Sequence, residues 1–409
     1  MPTPASLPPA FRRLAASNLA AQFSEQMALA AAPLVAVLAL GADASQTGYL
    51  QTAQTLPFLL LSLPAGVLAD RMPRRALMAG AEFVRAAGLA ALLALLLAGA
   101  LNLGALAALG FLTAVGTVAY GVAAPALLPR LVPAGELARA NRWLELARSA
   151  AFMAGPALGG ALVGALGAAP AYAAAAALSL AAALLLAGLP ADRPARPAHR
   201  HPGRELAEGA AFAARHPLLR PVLATAVVFN TAWFILQGIY VAYAVDTLRM
   251  DAAAIGLTLG IYGAGMVSGA LAAPWLGRRL RFGTVVAAGP LSAFAASLAM
   301  LSTLAWPSPV LAGLAFFFFG AGPILWTIAT TTLRQAVTPN AMLGRVSAVI
   351  QTATFGARPV GALIGALLAG RHGAPACLWA MAAGFALQFA LLALSPVRRL
   401  AAQPEAAAA

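Results

Sequence analysis

Apolar runs, each about as long as a bilayer is thick, recur along this 409-residue chain. Their lengths match the ~20 residues that a helix needs to cross the hydrocarbon core. Because lipid offers no partner for backbone N–H and C=O groups, such runs are expected to form helices. Of all residues, 62% are hydrophobic and 9% are charged, whereas a soluble domain carries about 25% charged residues. The chain is therefore predicted to be an all-α polytopic membrane protein.

Twelve predicted spans divide into two sets of six, separated by one long polar connection. The first set defines an N-terminal six-helix bundle, residues 1–189, and the second a C-terminal bundle, residues 218–409, with a cytoplasmic central loop at 190–217. The second half of that loop has helix-like apolar spacing. In chain order the spans cover residues 14–40, 46–69, 76–99, 103–128, 141–166, 168–190, 218–245, 253–277, 282–304, 308–331, 345–370 and 374–396.

Positive charge follows the connections between the spans. The formal net charge is +14, and every basic residue is an arginine. Most arginines lie at the termini, in the central loop or in connections that follow even-numbered spans, and connections of this kind stay in the cytoplasm. Both termini are therefore expected in the cytoplasm. The same distribution disfavours nucleic acid as a partner, since the charges serve topology beside a lipid bilayer.

Residue types that support catalysis or metal binding are sparse. The single cysteine, Cys377, excludes an intrachain disulfide and a multi-cysteine metal site. The four histidines all lie in connections, and neither H-E-x-x-H nor G-x-S-x-G occurs. We therefore expect no enzyme activity, no cofactor and no metal site.

The two halves of the chain resemble each other weakly. "LLPRLVPAGELARAN" before span 5 is similar to "TLRQAVTPNAMLGRVS" before span 11, so that Arg139 is matched by Arg345, 206 residues later. "GALVGAL", from Gly160, is likewise similar to "GALIGAL", from Gly361. Similarity at half the chain length is typical of internally duplicated transporters, and it predicts two pseudo-symmetric halves.

The stretch "GVLADRMPRR" connects spans 2 and 3. It resembles the signature G-x-x-x-D-R-x-x-R-R of the major facilitator superfamily, which implies the two-bundle fold of that family. In the family, these residues form a charge network that latches the halves together on the cytoplasmic side. The alternative, a positive anchor in the cytoplasm, explains the arginines but neither the aspartate nor the glycine. The candidate gating residues are Gly66, Asp70, Arg71, Arg74 and Arg75.

A second motif, "GPALGG" in span 5, resembles the G-P-x-x-G-G core that is typical of the superfamily's exporters. Its residues are Gly155, Pro156, Gly159 and Gly160. The proline removes a backbone donor and bends the helix, while the glycines allow close packing with a neighbour.

Longer phrases narrow the resemblance further. "PALLPRLVPAGELARANRW", "EGAAFAARHPLLR" and "LRQAVTPNAMLGRVSAV" are similar to the branch that contains the enterobactin exporters and macrolide efflux proteins. This branch implies energy-coupled export of a moderately large organic molecule, such as a siderophore or a drug. We also expect a monomer in the bacterial inner membrane.

Charges inside the predicted spans are functional candidates, because a charge at mid-membrane costs free energy. Glu25 forms one polar stripe with Asn18 and Gln22 in span 1, so we identify it as a candidate for proton coupling and substrate contact. An acid with a satisfied partner is the alternative. Arg358, near the middle of span 11, needs an anion: Glu25, another acid or the substrate. A structural ion pair is equally open.

Two further charge pairs, Glu82 with Arg85 and Glu145 with Arg148, have i, i+3 spacing close to the predicted cytoplasmic ends of spans 3 and 5. Mutual pairing suffices to explain them, so we interpret both as structural.

The resemblance also implies which spans contact the substrate, since spans 1, 4, 7 and 10 line the central cavity in the superfamily. Polar and aromatic residues on these spans are therefore substrate-binding candidates, together with the arginine of span 11. They are Asn18, Gln22, Glu25, Tyr120, Asn230, Trp233, Gln237, Tyr240, Trp326 and Arg358.

These patterns favour a secondary active exporter that is proton-coupled, works by alternating access and carries a siderophore. A multidrug or macrolide exporter shares every motif, and an importer stays open as a third transport function. A transport-dead membrane sensor or assembly partner is the alternative from another class, because it would keep the same fold. The expected partners are a small-molecule substrate and a proton.

Overall fold

The computed structural model describes residues 8–133, 136–190 and 202–404. Within these ranges the chain is helical and has no β-strand. The helices are α1 (Pro9–Leu38), α2 (Ala44–Arg71), α3 (Arg74–Leu97), α4 (Leu103–Leu131), α5 (Leu137–Leu166), α6 (Ala168–Ala187), α7 (Pro202–Arg215), α8 (Leu219–Asp246), α9 (Ala252–Arg279), α10 (Phe282–Ser302), α11 (Pro309–Val337) and α12 (Asn340–Ala393), and a 3₁₀ turn, Pro396–Arg399, follows them.

Ten helices in the described ranges are long and apolar enough to cross a membrane. One of them, Met342–Ala393 of α12, has 52 residues, enough for two crossings. The backbone of α12 leaves helical geometry at Gly373 (φ 76°, ψ 175°), so predicted spans 11 and 12 are two helical arms that meet at this glycine. α2 is 28 residues long, so every predicted span lies on a helix. The all-α polytopic fold is confirmed.

The second half of the predicted central loop forms α7, as its spacing indicated. Ala213 on its apolar face is buried in a cluster with residues of α8 and α12. On the polar face, Glu208 lies 2.6 Å and Glu205 3.8 Å from the guanidinium of Arg345 in α12. A Cβ atom at Gly209 would lie 2.8 Å from the carbonyl carbon of Arg345, so α7 packs directly on the α12 backbone. Residues 191–201 of the loop lie outside the described residues.

The chain divides into two compact units. Unit 1 comprises Met1–Gly41, Ala53–Ala198 and Asp251–Gly260, and unit 2 comprises Ala42–Thr52, His199–Met250 and Ile261–Ala409. In unit 1, α1, α3, α4 and α6 share an apolar core that includes Phe11, Leu14, Met78, Leu127 and Leu186. In unit 2, residues of α8, α10, α11 and α12 form a corresponding core around Val286 and Leu333.

Residues with positive φ lie in most of the connections that follow odd-numbered spans. Gly41, Gly99, Gly167 and Gly373 have φ between 64° and 83°, and Arg249 has φ 55°. Glycine adopts this conformation without the Cβ penalty that other residues pay. Gly167 is the only residue between α5 and α6, so these connections reverse the chain within very few residues.

The internal duplication is visible in the backbone, with a register that differs from one of the two sequence similarities. Gly155 and Gly159 of α5 pack against α1, and Gly361 and Gly365 of α12, 206 residues later, pack against α8 in the same way. "GALVGAL" at Gly160 and "GALIGAL" are therefore displaced from structural equivalence by five residues. The two sequence segments are similar because both are rich in small residues. The structurally equivalent positions are those whose glycines make the same helix contacts.

Candidate functional site

Three charged side chains meet inside unit 1. Arg85 of α3 lies with its Nη1 3.1 Å from Oε1 of Glu82 and with its Nη2 3.8 Å from Oε2 of Glu25 in α1. The side chains of Glu82 and Arg85 are 0% and 3% exposed, and that of Glu25 is 20% exposed. The expected pairing of Glu82 with Arg85 is present, but it is buried and it includes a second acid, which the sequence analysis did not foresee.

Polar groups from neighbouring helices hold this acid–arginine cluster in place. Arg85 donates hydrogen bonds to the carbonyl oxygen of Ala21 at 3.2 Å and to Oγ1 of Thr117 in α4 at 2.9 Å. Ser179 of α6 donates to Oε2 of Glu82 at 2.7 Å. These bonds hold Glu82 and Arg85 in one arrangement. Removing one partner of a buried ion pair costs about 3–5 kcal/mol, so the pair is expected to stay intact. Glu25 keeps an accessible face.

The rest of the predicted polar stripe lies on the same face of α1. Tyr120 of α4 donates a hydrogen bond to Oδ1 of Asn18 at 3.4 Å, and Nδ2 of Asn18 donates to the carbonyl oxygen of Leu144 in α5 at 3.4 Å. Gln22 is half-buried one turn before Glu25. The structure thus brings Asn18, Tyr120 and Glu25 into one unit as candidate site residues.

The exporter motif contacts two different helices within unit 1. A Cβ atom at Gly155 would lie 2.6 Å from Cβ of Gln26, the residue after Glu25, so α5 supports α1 beside the cluster. On the other side, a Cβ atom at Gly160 would lie 2.6 Å from Cα of Gly256 at the start of α9. The reciprocal Cβ atom at Gly256 would lie 2.7 Å from Cα of Gly160. The backbones of α5 and α9 therefore touch, which only glycine permits at these positions.

The gating motif spans the turn between α2 and α3. α2 ends at Arg71, which is exposed, and α3 begins at Arg74. Nη1 of Arg75 donates a hydrogen bond to the carbonyl oxygen of Leu189 at the end of α6, at 2.6 Å. The side chains of Gly66 and Asp70 lie outside the described residues, so the latch stays a prediction.

Some substrate-binding candidates of unit 2 are buried in its interior, and others are partly accessible. Trp233 is 6% exposed and stacks on Tyr262 with ring centroids 5.0 Å apart. Tyr240 is fully buried against Phe316. Nδ2 of Asn230 donates a hydrogen bond to the carbonyl oxygen one helical turn earlier. These side chains form part of the aromatic interior of unit 2, and their substrate contacts stay predictions.

Gln237, Trp326 and Arg358 are half-buried. The guanidinium of Arg358 lies over two phenyl rings, 4.3 Å from the centroid of Phe355 and 5.5 Å from that of Phe234. A guanidinium over aromatic faces keeps its charge and its hydrogen-bond donors. This arrangement suits a planar anion at the guanidinium edge.

Comparison with known proteins agrees with this architecture. The family model described as Major Facilitator Superfamily matches residues 14–362. No curated protein gave a match. Among solved structures, the nucleoside transporter NupG is 14% identical, with a TM-score of 0.73 over 94% of this chain and 98% of that chain.

Two other solved transporters are similarly related. A POT family transporter in complex with 5-aminolevulinic acid is 13% identical, with a TM-score of 0.76 over 95% of this chain and 96% of that chain. A bacterial homologue of the iron transporter ferroportin is 18% identical, with a TM-score of 0.71 over 94% and 98% of the two chains. Such identities establish likeness of fold alone. Since the family model covers most of a chain with this helical fold, the protein belongs to the Major Facilitator Superfamily.

Proposed function

We propose that this protein is a proton-coupled secondary active exporter that works by alternating access. Its cargo is a moderately large organic anion, a siderophore, and it acts in the inner membrane of a bacterium as a monomer. Both termini lie in the cytoplasm, and the bundles 1–189 and 218–409 are its two halves, joined by the loop 190–217. Membership of a transporter superfamily supports transport rather than catalysis.

The observation that carries the proposal is the acid–arginine cluster of unit 1. Two carboxylates lie within 4 Å of one guanidinium, and the more exposed of them, Glu25, has the longer contact. Buried ionisable groups in a membrane protein are costly, and they mark proton relays and substrate pathways. A carboxylate that shares its cation with a second acid is suited to taking up and releasing a proton.

The export direction is supported by the packing of "GPALGG". Gly155 supports α1 beside Glu25, and Gly160 lies against α9. The motif that resembles the exporters' signature therefore contacts the helix that carries the proposed coupling residue.

Transport of a siderophore into everted membrane vesicles tests this function. An imposed pH gradient, acidic inside, should drive accumulation of a triscatecholate siderophore above its external concentration, and collapse of the gradient should release it. Movement without dependence on the gradient would contradict proton coupling, and no movement of any tested substrate would favour a transport-dead sensor.

The anionic nature of the substrate is supported by Arg358, and we predict that this residue separates two cargo classes. Loss of a hydrogen-bonded charge pair costs about 1.5–3 kcal/mol, or roughly 10- to 100-fold in affinity. Arg358→Ala should therefore weaken binding of a triscatecholate siderophore by that factor and leave a neutral macrolide within about twofold. Arg358→Lys should restore part of the affinity, because it keeps the charge without the bidentate fork.

Purified protein titrated with each ligand measures this effect, and Arg371→Ala, at an exposed arginine between the arms of α12, is the matched control. Equal loss for both ligands, together with poor folding, would leave Arg358 as a structural ion-pair partner.

A multidrug or macrolide exporter is the second candidate function. It is favoured by the aromatic environment of Trp233, which stacks on Tyr262 and contacts Phe316 and Phe319 with centroids 5.8 Å and 5.1 Å away. Tight macrolide binding that survives Arg358→Ala, with no measurable siderophore binding, would establish this alternative.

We also predict a gating role for Asp70. Asp70→Asn should leave the protein in the membrane but reduce export at least about tenfold, a loss of ~1.4 kcal/mol, because a gating contact loses its charge. Asp251→Asn is the matched control, since Asp251 caps α9 through a hydrogen bond from the Ala254 N–H that asparagine can also accept. Normal export by Asp70→Asn at normal expression would reduce the motif to a cytoplasmic anchor.

A further inference from the structure

The two acids of the cluster are held very differently. Glu82 is fully buried, and Oε2 accepts a hydrogen bond from Ser179 while Oε1 faces Arg85 at 3.1 Å. Glu25 is 20% exposed, and its contact with Arg85 is 3.8 Å long. One acid is therefore buried close to the guanidinium, whereas the other has a longer contact and an accessible face.

Titratable groups lie on four helices that contact α1. α3 supplies Glu82 and Arg85, and α4 supplies Tyr120, whose hydroxyl donates a hydrogen bond to Asn18. α5 carries the ion pair Glu145–Arg148, and α6 carries the buried Tyr172. Arg85 is the group whose ion contact with Glu25 lies within 4 Å.

We propose that Glu82 is a positioning residue that holds Arg85 and thereby sets the pH at which Glu25 exchanges its proton. This inference rests on the proposed coupling role of Glu25. When Glu25 binds a proton, its contact with the guanidinium is lost, and Glu82 continues to neutralise Arg85. When Glu25 releases the proton to water, Arg85 stabilises the new carboxylate. Proton uptake therefore never leaves a buried arginine unpaired, which would be costly.

The counterpart of α3 in unit 2 has no equivalent of Glu82 or Arg85. α10, Phe282–Ser302, contains no charged residue. The internal duplication therefore accounts for the paired helices but not for the acid–arginine cluster. A function that arose in one half after duplication would produce this difference.

Two variants with opposite expected shifts test the proposal. Glu82→Gln keeps an acceptor for Ser179 and removes the competing charge, so Arg85 serves Glu25 alone and the ionised form of Glu25 is favoured. In proteoliposomes, the pH of half-maximal substrate exchange should fall by about one unit, a tenfold change in proton affinity. Glu82→Gln combined with Arg85→Gln removes the cation as well, and the same midpoint should rise by about one unit.

Glu82→Asp keeps the charge and should return the midpoint close to that of the native protein. Glu136→Gln, in the ion pair with Arg139 outside the cluster, is the control that should not move it. If Glu82→Gln fails to enter the membrane, the double variant, in which no buried charge is left unpaired on α3, still gives a midpoint. An unchanged midpoint, or shifts of the same sign in the single and double variants, would overturn the proposal.

The failure of this inference differs from failure of the proposed function. If Glu25→Gln abolishes the pH dependence while the Glu82 variants match the native profile, Glu25 is the coupling residue and the role of Glu82 is wrong. If Glu25→Gln keeps the native pH profile, the proposed coupling itself is wrong.

Discussion

Glu25→Gln is expected to abolish uphill transport while substrate binding and exchange remain measurable. Glutamine has nearly the same shape as glutamate but cannot bind and release a proton. The pH gradient therefore no longer drives accumulation of the substrate. In everted vesicles the ratio of internal to external siderophore should fall to unity under an imposed pH gradient. Counterflow, in which labelled substrate exchanges with unlabelled substrate, should continue, because it requires the binding site and the conformational change only.

Glu136→Gln is a matched control for Glu25→Gln, since Glu136 pairs with Arg139 at 3.5 Å close to the start of α5 and lies outside the cluster. It should retain uphill transport. If Glu25→Gln still concentrates the substrate against its gradient, another acid carries the proton, and Asp246 at the end of α8 is the next one to replace.

Gly160→Leu is expected to have the second largest effect, because it places a side chain where the α5 and α9 backbones touch. The new Cβ atom alone would meet the carbonyl oxygen of Ala252 and Cα of Gly256 at 2.5 and 2.6 Å. Backbone atoms cannot rotate away, so the helices must separate. Overpacking of this kind costs about 1–3 kcal/mol or more, and we expect a fall of roughly 5 °C in the Tm of the detergent-purified protein with loss of most export.

The same substitution at Gly121 of α4 is the control, since a Cβ atom there meets no other atom within 4 Å. It should leave the Tm and transport nearly unchanged. Equal Tm values for Gly160→Leu and the native protein would show that α5 and α9 do not require this close contact.

Hydropathy and charge made the helices of this protein predictable. A run of about 20 apolar residues satisfies its backbone hydrogen bonds in lipid by forming a helix. Predicted spans and observed helices therefore coincide within a few residues. The apolar spacing that predicted α7 works for the same reason, because Ala213 lies on the face that packs against α8 and α12. Local periodicity is sufficient to predict a helix when one face of that helix packs against the rest of the protein.

The candidate site was only partly predictable, because its chemistry depends on which helices meet. The i, i+3 spacing showed that Glu82 and Arg85 are neighbours on α3, but it carries no information about Glu25, 57 residues earlier. The same limit applies to Tyr240: the resemblance made it a substrate-binding candidate, and the structure shows its side chain packed against Phe316 inside unit 2. Burial within a bundle cannot be read from one helix.

The single-residue reversals at Gly167 and Gly373 have a consequence for how the chain enters the bilayer. A hairpin whose tip is one left-handed glycine carries almost no polar backbone to its far end, and polar backbone is what lipid excludes most strongly. The arginine-rich connections are predicted to stay on the cytoplasmic side. We therefore expect α5 and α6 to insert as a helical hairpin in one step. The two arms of α12 form a similar hairpin, but its tip also carries Arg371 and His372.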